Sequence, residues 1–240
     1  MNKNNALIIF LKAPRFGWVK TRLQPEFSPA ESLVFYKAMV EDLIDLFKDV
    51  KFCDLKLYFS PQNSKTAMEK WLGKEFDLLP QNGENLGDKM HNAFVENFKS
   101  KYKKVVLIGS DIPTLDVTTV IRAFTSLDNH DVTLGPCIDG GYYLIGLNKP
   151  DAALFQDIEW STERVLQQTI NKVKNRALEL NQLELKYDID RYSDIKILWD
   201  HLEKRNLPQH FYYRKRTFDF LNKLFEKKYS YKLEMEYSKF

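Results

Sequence analysis

Short apolar runs recur along the chain and alternate with longer segments of helical period, and this alternation limits the possible folds more than any other feature. The runs are ALIIFL (6–11), LKLYF (55–59), FDLL (76–79), KVVLIG (104–109), DVTLG (131–135) and YYLIGL (142–147). VVLI is apolar without interruption, as expected of a strand buried on both faces, whereas a strand with one wet face alternates. Between the runs, the spacing predicts helices over 29–48, 64–73, 88–99, 116–127, 161–174 and 193–205, with a further strand between the last two. SPAE announces the first helix: Ser28 as N-cap, Pro29 at the first helical position and Glu31 three residues on. Strand and helix in repetition give an α/β fold, Rossmann-like, with a mostly parallel sheet and helices on both faces.

The 240 residues, 44% of them hydrophobic, suffice for one domain with a sizeable core. That domain is expected over 1–207. A basic, aromatic appendage of helical character is expected over 208–240, starting at Pro208. The formal charge of +3 is concentrated in that tail, which carries eight Lys/Arg against four Asp/Glu, and the body is close to neutral. A nucleic-acid-binding domain carries its positive excess on the folded body, so nucleic acid is excluded as a partner. ALIIFL is too short for the apolar region of a signal peptide, and a cytoplasmic protein is the expectation. Cys53 and Cys137 lack CxxC spacing, which argues against a thiolate zinc site or a disulfide framework. In the tail, Phe218, Leu221 and Phe225 recur at helical spacing, with Lys215, Lys223 and Lys227 elsewhere around the helix. Docking on the body is the expected fate of that face; a membrane surface or a homodimer contact are the alternatives.

Ligands of open parallel sheets sit beyond the carboxyl ends of the strands. There this sequence places KAPRFGWVKTRL after the first strand, with Lys12, Arg15, Lys20 and Arg22 around Gly17. SDIP follows VVLIG and carries Asp111; CIDGG follows DVTLGP and carries Asp139; KYDIDR carries Asp188 and Asp190. The glycines after Asp139 suit a tight hairpin, and Ser161 in EWSTE is placed as a helix N-cap. Cations and carboxylates around one cleft are what a nucleotide phosphate with Mg²⁺ or Mn²⁺ requires.

Taken together and in order, KAPRFGWVKTRL, GENLGDKM, LIGSDIPTL, LGPCIDGGYYLIGL, EWSTERVLQQT and DID resemble a transferase family of the GT-A superfamily associated with radical-SAM genes and arsenosugar biosynthesis. The resemblance spans about residues 6–200. It implies the GT-A, or nucleotide-diphospho-sugar transferase, fold. It also implies Lys12, Arg15, Lys20 and Arg22 as the nucleotide-phosphate loop, and Asp111 as the metal aspartate at the position of the superfamily's DxD. This chain departs from the pattern with GSD in place of a full DxD, DIDR where Asp-Thr is usual, and Phe16-Gly17-Trp18 where Pro-Gly-Arg is common.

The expected reaction is sugar transfer from a nucleotide-diphosphate sugar to a small acceptor. In it, Asp111 with Asp188 or Asp190 holds Mg²⁺ or Mn²⁺, and Asp139 is the candidate general base for an acceptor hydroxyl. Nucleotidyl transfer to a phosphorylated small molecule needs the same metal and cations; it is the alternative because its usual opening loop is richer in glycine. A non-catalytic nucleotide sensor is the third reading.

Overall fold

A computed structural model describes residues 4–203 and 215–237. Seven strands form one sheet in the order β3-β2-β1-β4-β6-β5-β7. They are β1 (Asn5–Lys12), β2 (Asp54–Ser60), β3 (Leu78–Pro80), β4 (Lys104–Ile108), β5 (Val132–Pro136), β6 (Tyr142–Leu147) and β7 (Leu180–Gln182). The helices are α1 (Pro29–Phe47), α2 (Lys65–Leu72), α3 (Leu86–Lys99), α4 (Val117–Ser126), α5 (Val165–Asn175), α6 (Tyr192–Glu203) and α7 (Lys215–Tyr237). Strand β6 runs antiparallel to both neighbours, and every other pairing is parallel.

The uninterrupted apolar runs have the physical cause expected of them. In β1, Leu7, Ile9 and Leu11 pack on one face with Val40, Leu43 and Phe47 of α1. Ala6 and Ile8 face the other side, toward Met90 and Phe94 of α3. With helices on both faces, neither parity of the strand is left for a polar residue. Helix α1 starts as its sequence demands: Ser28 Oγ accepts the Glu31 N–H and the Glu31 carboxylate accepts the Ser28 N–H. Helix α3 begins at Leu86, two residues earlier than its periodicity predicts, because Asn85 and Asp88 form the same reciprocal cap.

A third cluster joins α1, α6 and α7 through Phe27, Phe35, Leu198, Trp199, Leu221 and Phe225. Trp199 stacks on Phe225 with ring centroids 4.9 Å apart. Burying Leu221 and Phe225 is worth about 2 kcal/mol each. Beneath the first turn of α7 lies Asp42 of α1, itself fully buried. It accepts the Thr217 N–H at 2.8 Å and the Arg216 N–H at 3.2 Å. The expected domain boundary at 207/208, and the segment Phe211–Arg214 of the tail, lie outside the described residues, as does the side chain of Lys227. No helix among the described residues is long and apolar enough to cross a membrane.

Candidate functional site

The sheet topology brings the four acids to one edge. Strand β5 points the same way as β1 and β4 because it is antiparallel to β6, which is antiparallel to β4. The turn between β5 and β6, carrying Asp139, therefore lies at the carboxyl edge, next to Asp111 after β4. Beyond β7 the chain keeps following β5: Lys186 N–H donates to Pro136 O at 3.0 Å and Ile138 N–H to Lys186 O at 3.0 Å. That register delivers Asp188 and Asp190 to the same place, and Ile189 N–H donates to Asp111 O at 3.0 Å.

The hairpin turn depends on Gly140, whose φ is +86° and whose added Cβ would lie 2.1 Å from Glu163 O. Its carbonyl accepts the Leu166 N–H of α5 at 2.9 Å, and Asp139 Oδ1 accepts the Gly141 N–H at 2.9 Å. Gly140→Ala is expected to cost about 1–3 kcal/mol in urea unfolding and to weaken metal binding by displacing Asp139. A variant as stable as the wild type would contradict this close approach.

These segments enclose a cleft of about 810 Å³, within the range of small-molecule sites. Lys12, Lys20, Arg22, Asp111, Asp139, Asp188 and Asp190 line it. Tyr36 fixes the end of β1 by bonding both Lys12 N–H, at 2.7 Å, and Lys12 O, at 2.9 Å, through its hydroxyl. Lys20 adopts the left-handed conformation (φ 49°) and reaches across to Asp111 at 2.9 Å and Asp190 at 3.7 Å, also donating to Ile189 O. Arg22 meets Asp190 at 2.5 Å.

Arg15 is placed differently from its loop partners. Its guanidinium donates to Asn63 Oδ1 at 3.1 Å and Ser64 Oγ at 2.9 Å and lies near the Trp18 ring, outside the residues that line the cleft. The expected N-cap role of Ser161 is corrected: α5 starts at Val165 after Arg164, and Ser161 has φ +68°. A preceding turn, closed by Thr162 Oγ1 on Glu159 O at 2.7 Å, takes up the residues that the periodicity had assigned to the helix.

Asp139, Asp188 and Cys137 come within 4.8 Å of one another through their potential ligand atoms. Burial, with Asp139 and Asp190 beside it, pushes the Asp188 carboxyl up to about 6. The Cys137 thiol is also raised, by burial and by the surrounding acids, which disfavours its thiolate. The remaining donors are carboxylate oxygens, which fit Mg²⁺ or Mn²⁺ and not a soft metal.

A folded carboxyl raised above its unfolded value costs stability as pH rises from about 4 through 6. Without divalent cation, wild-type stability relative to Asp188→Asn is therefore expected to fall between pH 4.5 and 7, and Mn²⁺ affinity to rise over the same window. Thermal melts and Mn²⁺ titrations of both proteins across those pH values check this. A difference independent of pH would contradict the crowding of Asp188.

Several cleft residues have no signal in the strand-end reading. Gln81 donates to Leu11 O and Tyr58 O at 3.2 and 2.9 Å, joining the ends of β1 and β2. Leu86, Lys89 and Met90 line the wall from the first turns of α3. They fall in GENLGDKM, one of the motifs that carry the family resemblance. Tyr36 gives no local sign, because only packing of α1 on β1 brings it to Lys12.

Residues 43–162, half of the chain, match the family described as an uncharacterized protein conserved in bacteria, DUF2064. The crystal structure of a candidate nucleotide-diphospho-sugar transferase from Desulfovibrio desulfuricans G20 superposes with a TM-score of 0.82 at 28% identity, covering 92% of this chain and 98% of that one. The 2-phospho-L-lactate guanylyltransferase of Methanobrevibacter smithii is 28% identical over 127 residues, 53% of this chain and 55% of that protein. The chain thus spans about half the length of the curated relatives it matches. At the level of fold alone, Rv0371C of Mycobacterium tuberculosis in complex with manganese gives a TM-score of 0.51 at 14% identity, over 81% of this chain and 98% of that one. With a seven-stranded, mostly parallel sheet of the nucleotide-diphospho-sugar transferase fold, the chain belongs to the DUF2064 family of bacterial proteins.

Proposed function

We propose that this protein is a metal-assisted nucleotidyltransferase, joining the nucleoside monophosphate part of a nucleoside triphosphate to a phosphorylated small molecule. The observation that carries this reading is one cleft lined by Asp139 and Asp188 together with Lys12 and Arg22. It occurs in a chain 28% identical over 127 residues to a guanylyltransferase whose named substrate is a phosphorylated hydroxy acid. Sugar transfer, the reading favoured by the sparse glycine of the first loop, gives way because the similarity to guanylyltransferases outweighs that single feature.

In the reaction, a phosphate oxygen of the acceptor attacks the α-phosphorus of the triphosphate. The bond from the α-phosphorus to the bridging oxygen breaks, and pyrophosphate leaves. A divalent cation, when bound, neutralises charge on the triphosphate and the departing pyrophosphate. Asp139 and Asp188 would hold that cation, and manganese is the ion named for the fold neighbour Rv0371C. Lys12 and Arg22 meet phosphate charge at the wall of the cleft. A phosphomonoester loses its second proton near pH ~6 and is already nucleophilic at neutral pH, so the step requires no general base. Asp139, proposed from sequence as a base for a hydroxyl acceptor, is thereby free for the cation.

The test is pyrophosphate release from ATP, GTP, CTP or UTP with Mn²⁺ and a set of phosphorylated hydroxy acids that includes 2-phospholactate. Pyrophosphate formed only when acceptor is present supports the proposal. Nucleoside diphosphate released from UDP-, GDP- or dTDP-sugars, with no pyrophosphate from any triphosphate, overturns it in favour of sugar transfer. That second reading is supported by the description of the Desulfovibrio desulfuricans G20 structure and by the arsenosugar association of the motifs. Nucleotide binding that is independent of metal and unaccompanied by turnover would instead identify a sensor.

A further inference from the structure

Trp18 is the most exposed large apolar side chain among the described residues, at 70%, and it lines the cleft. Of the other exposed large apolar side chains described, Leu86, at the start of α3, is the one that shares that lining. An indole this open has a flat apolar face that the fold itself does not cover, and burying that face against a ligand is favourable.

The loop is built to hold that ring in place. Trp18 N–H donates to Arg15 O at 3.1 Å, closing a four-residue turn, and Gly17, third in the turn, takes φ +74°, which favours glycine. The turn brings the indole beneath the Arg15 guanidinium, whose central carbon lies 5.7 Å from the ring centroid, within cation–π range. Arg15 is fixed in turn: it donates to Asn63 Oδ1 at 3.1 Å and to Oγ of the buried Ser64 at 2.9 Å. A guanidinium over one face of the indole leaves the opposite face for a ligand. Arg15, which stands outside the cleft lining, thereby acts on the cleft through Trp18.

We propose that Trp18 is the platform on which the nucleobase stacks, and that Arg15 is the residue that positions it. The inference rests on the nucleotide-dependent reading above and deepens it by dividing the first loop into two duties. Lys12 and Arg22 meet phosphate charge, and Trp18, on the same loop, meets the base. Of the two ligands in the proposed reaction, a nucleoside triphosphate and a phosphorylated hydroxy acid, the nucleotide alone carries a flat π-system to match an indole face. Every base has such a face, so Trp18 adds affinity for all four nucleotides, and discrimination among bases falls to other groups.

Calorimetric titration of the full chain with ATP, GTP, CTP and UTP, and with inorganic tripolyphosphate, all in the same excess of Mn²⁺ and without acceptor, tests the proposal. Tripolyphosphate carries the charge of a triphosphate and no base. Trp18→Ala is expected to weaken binding of the tightest nucleotide by about 10- to 100-fold, the scale of one base stacked on an aromatic ring, and to leave tripolyphosphate within about twofold of wild type. Trp18→Phe keeps a smaller π-face and is expected to restore nucleotide affinity to within about fivefold of wild type. Arg15→Met removes the cation and both hydrogen bonds, and about a 3- to 10-fold loss for nucleotide alone is expected. Nucleotide affinity unchanged in Trp18→Ala, an equal loss for tripolyphosphate, or a Trp18→Phe protein as weak as the alanine variant would each overturn the stacking role. Wild-type affinity for nucleotide in Arg15→Met would overturn the positioning role. Binding of no nucleotide by the wild type would overturn the stacking role and the nucleotidyl reading together. Base-dependent binding that follows Trp18, with no pyrophosphate released from any triphosphate once acceptor is added, would count against nucleotidyl transfer while supporting the stacking role.

Discussion

Asp188→Asn is expected to lower metal-dependent turnover by on the order of 10²- to 10³-fold, the usual scale for losing charge stabilisation in a pre-organised site, while leaving the protein at least as stable. Its carboxyl is crowded by Asp139 and Asp190 and partly withdrawn from water, which raises it to about 6. At neutral pH its charge is held against that cost, which the proposed cation would relieve. Replacement by the neutral amide removes the repulsion together with the ligand. Asp139→Asn should show a similar loss of turnover, since Asp139 and Asp188 converge within 4.8 Å. Steady-state kinetics with Mn²⁺, paired with melts in chelator at pH 7.5, check both halves of the expectation. Turnover within about threefold of wild type would remove Asp188 from the site.

Asp42→Ala, at a residue that is not among those lining the cleft, is expected to destabilise the protein by about 2–4 kcal/mol because it removes a buried acceptor from backbone donors. Asp42 is fully buried on α1 and receives the Thr217 N–H at 2.8 Å and the Arg216 N–H at 3.2 Å. These are first-turn N–H groups of α7, which no carbonyl of their own helix can satisfy, and the positive end of the helix dipole adds to the attraction. Arg216 also reaches Asp42, at 3.3 Å, but is half-exposed and can turn to Asp45 or water. Thr217 is buried and has no such exit. Asp42→Asn keeps one acceptor and should cost about half as much. Urea unfolding measures both, and a loss below about 0.5 kcal/mol for the alanine variant would show that α7 is not held through this residue.

Much of the architecture was legible because each element carries its own signal. Uninterrupted VVLI marked a strand covered on both faces, SPAE marked the start of α1, and the glycines of CIDGG marked the hairpin between β5 and β6. Where local signals compete, the reading slipped. Periodicity extended α5 back to Ser161, but the hydrogen bonds of the 159–164 turn and the Gly140 carbonyl set the true start at Val165. Residue type and position after a strand also placed Asp111, Asp139, Asp188 and Asp190 at one edge. They could not say which acids meet which cations, because Lys20 and Asp190 are 170 residues apart in sequence and nothing local connects them.

The sequence by itself determined the α/β class, the strand positions and the edge of the sheet at which charge gathers, since these follow from short-range patterns of polarity, capping and turn chemistry. Only the tertiary structure decided that β6 lies between β4 and β5, that the chain after β7 follows β5 to bring Asp188 beside Asp139, and that Lys20 lies between Asp111 and Asp190. Strand order and ion pairing depend on which distant segments bury one another, and that is set by the packing of the whole core.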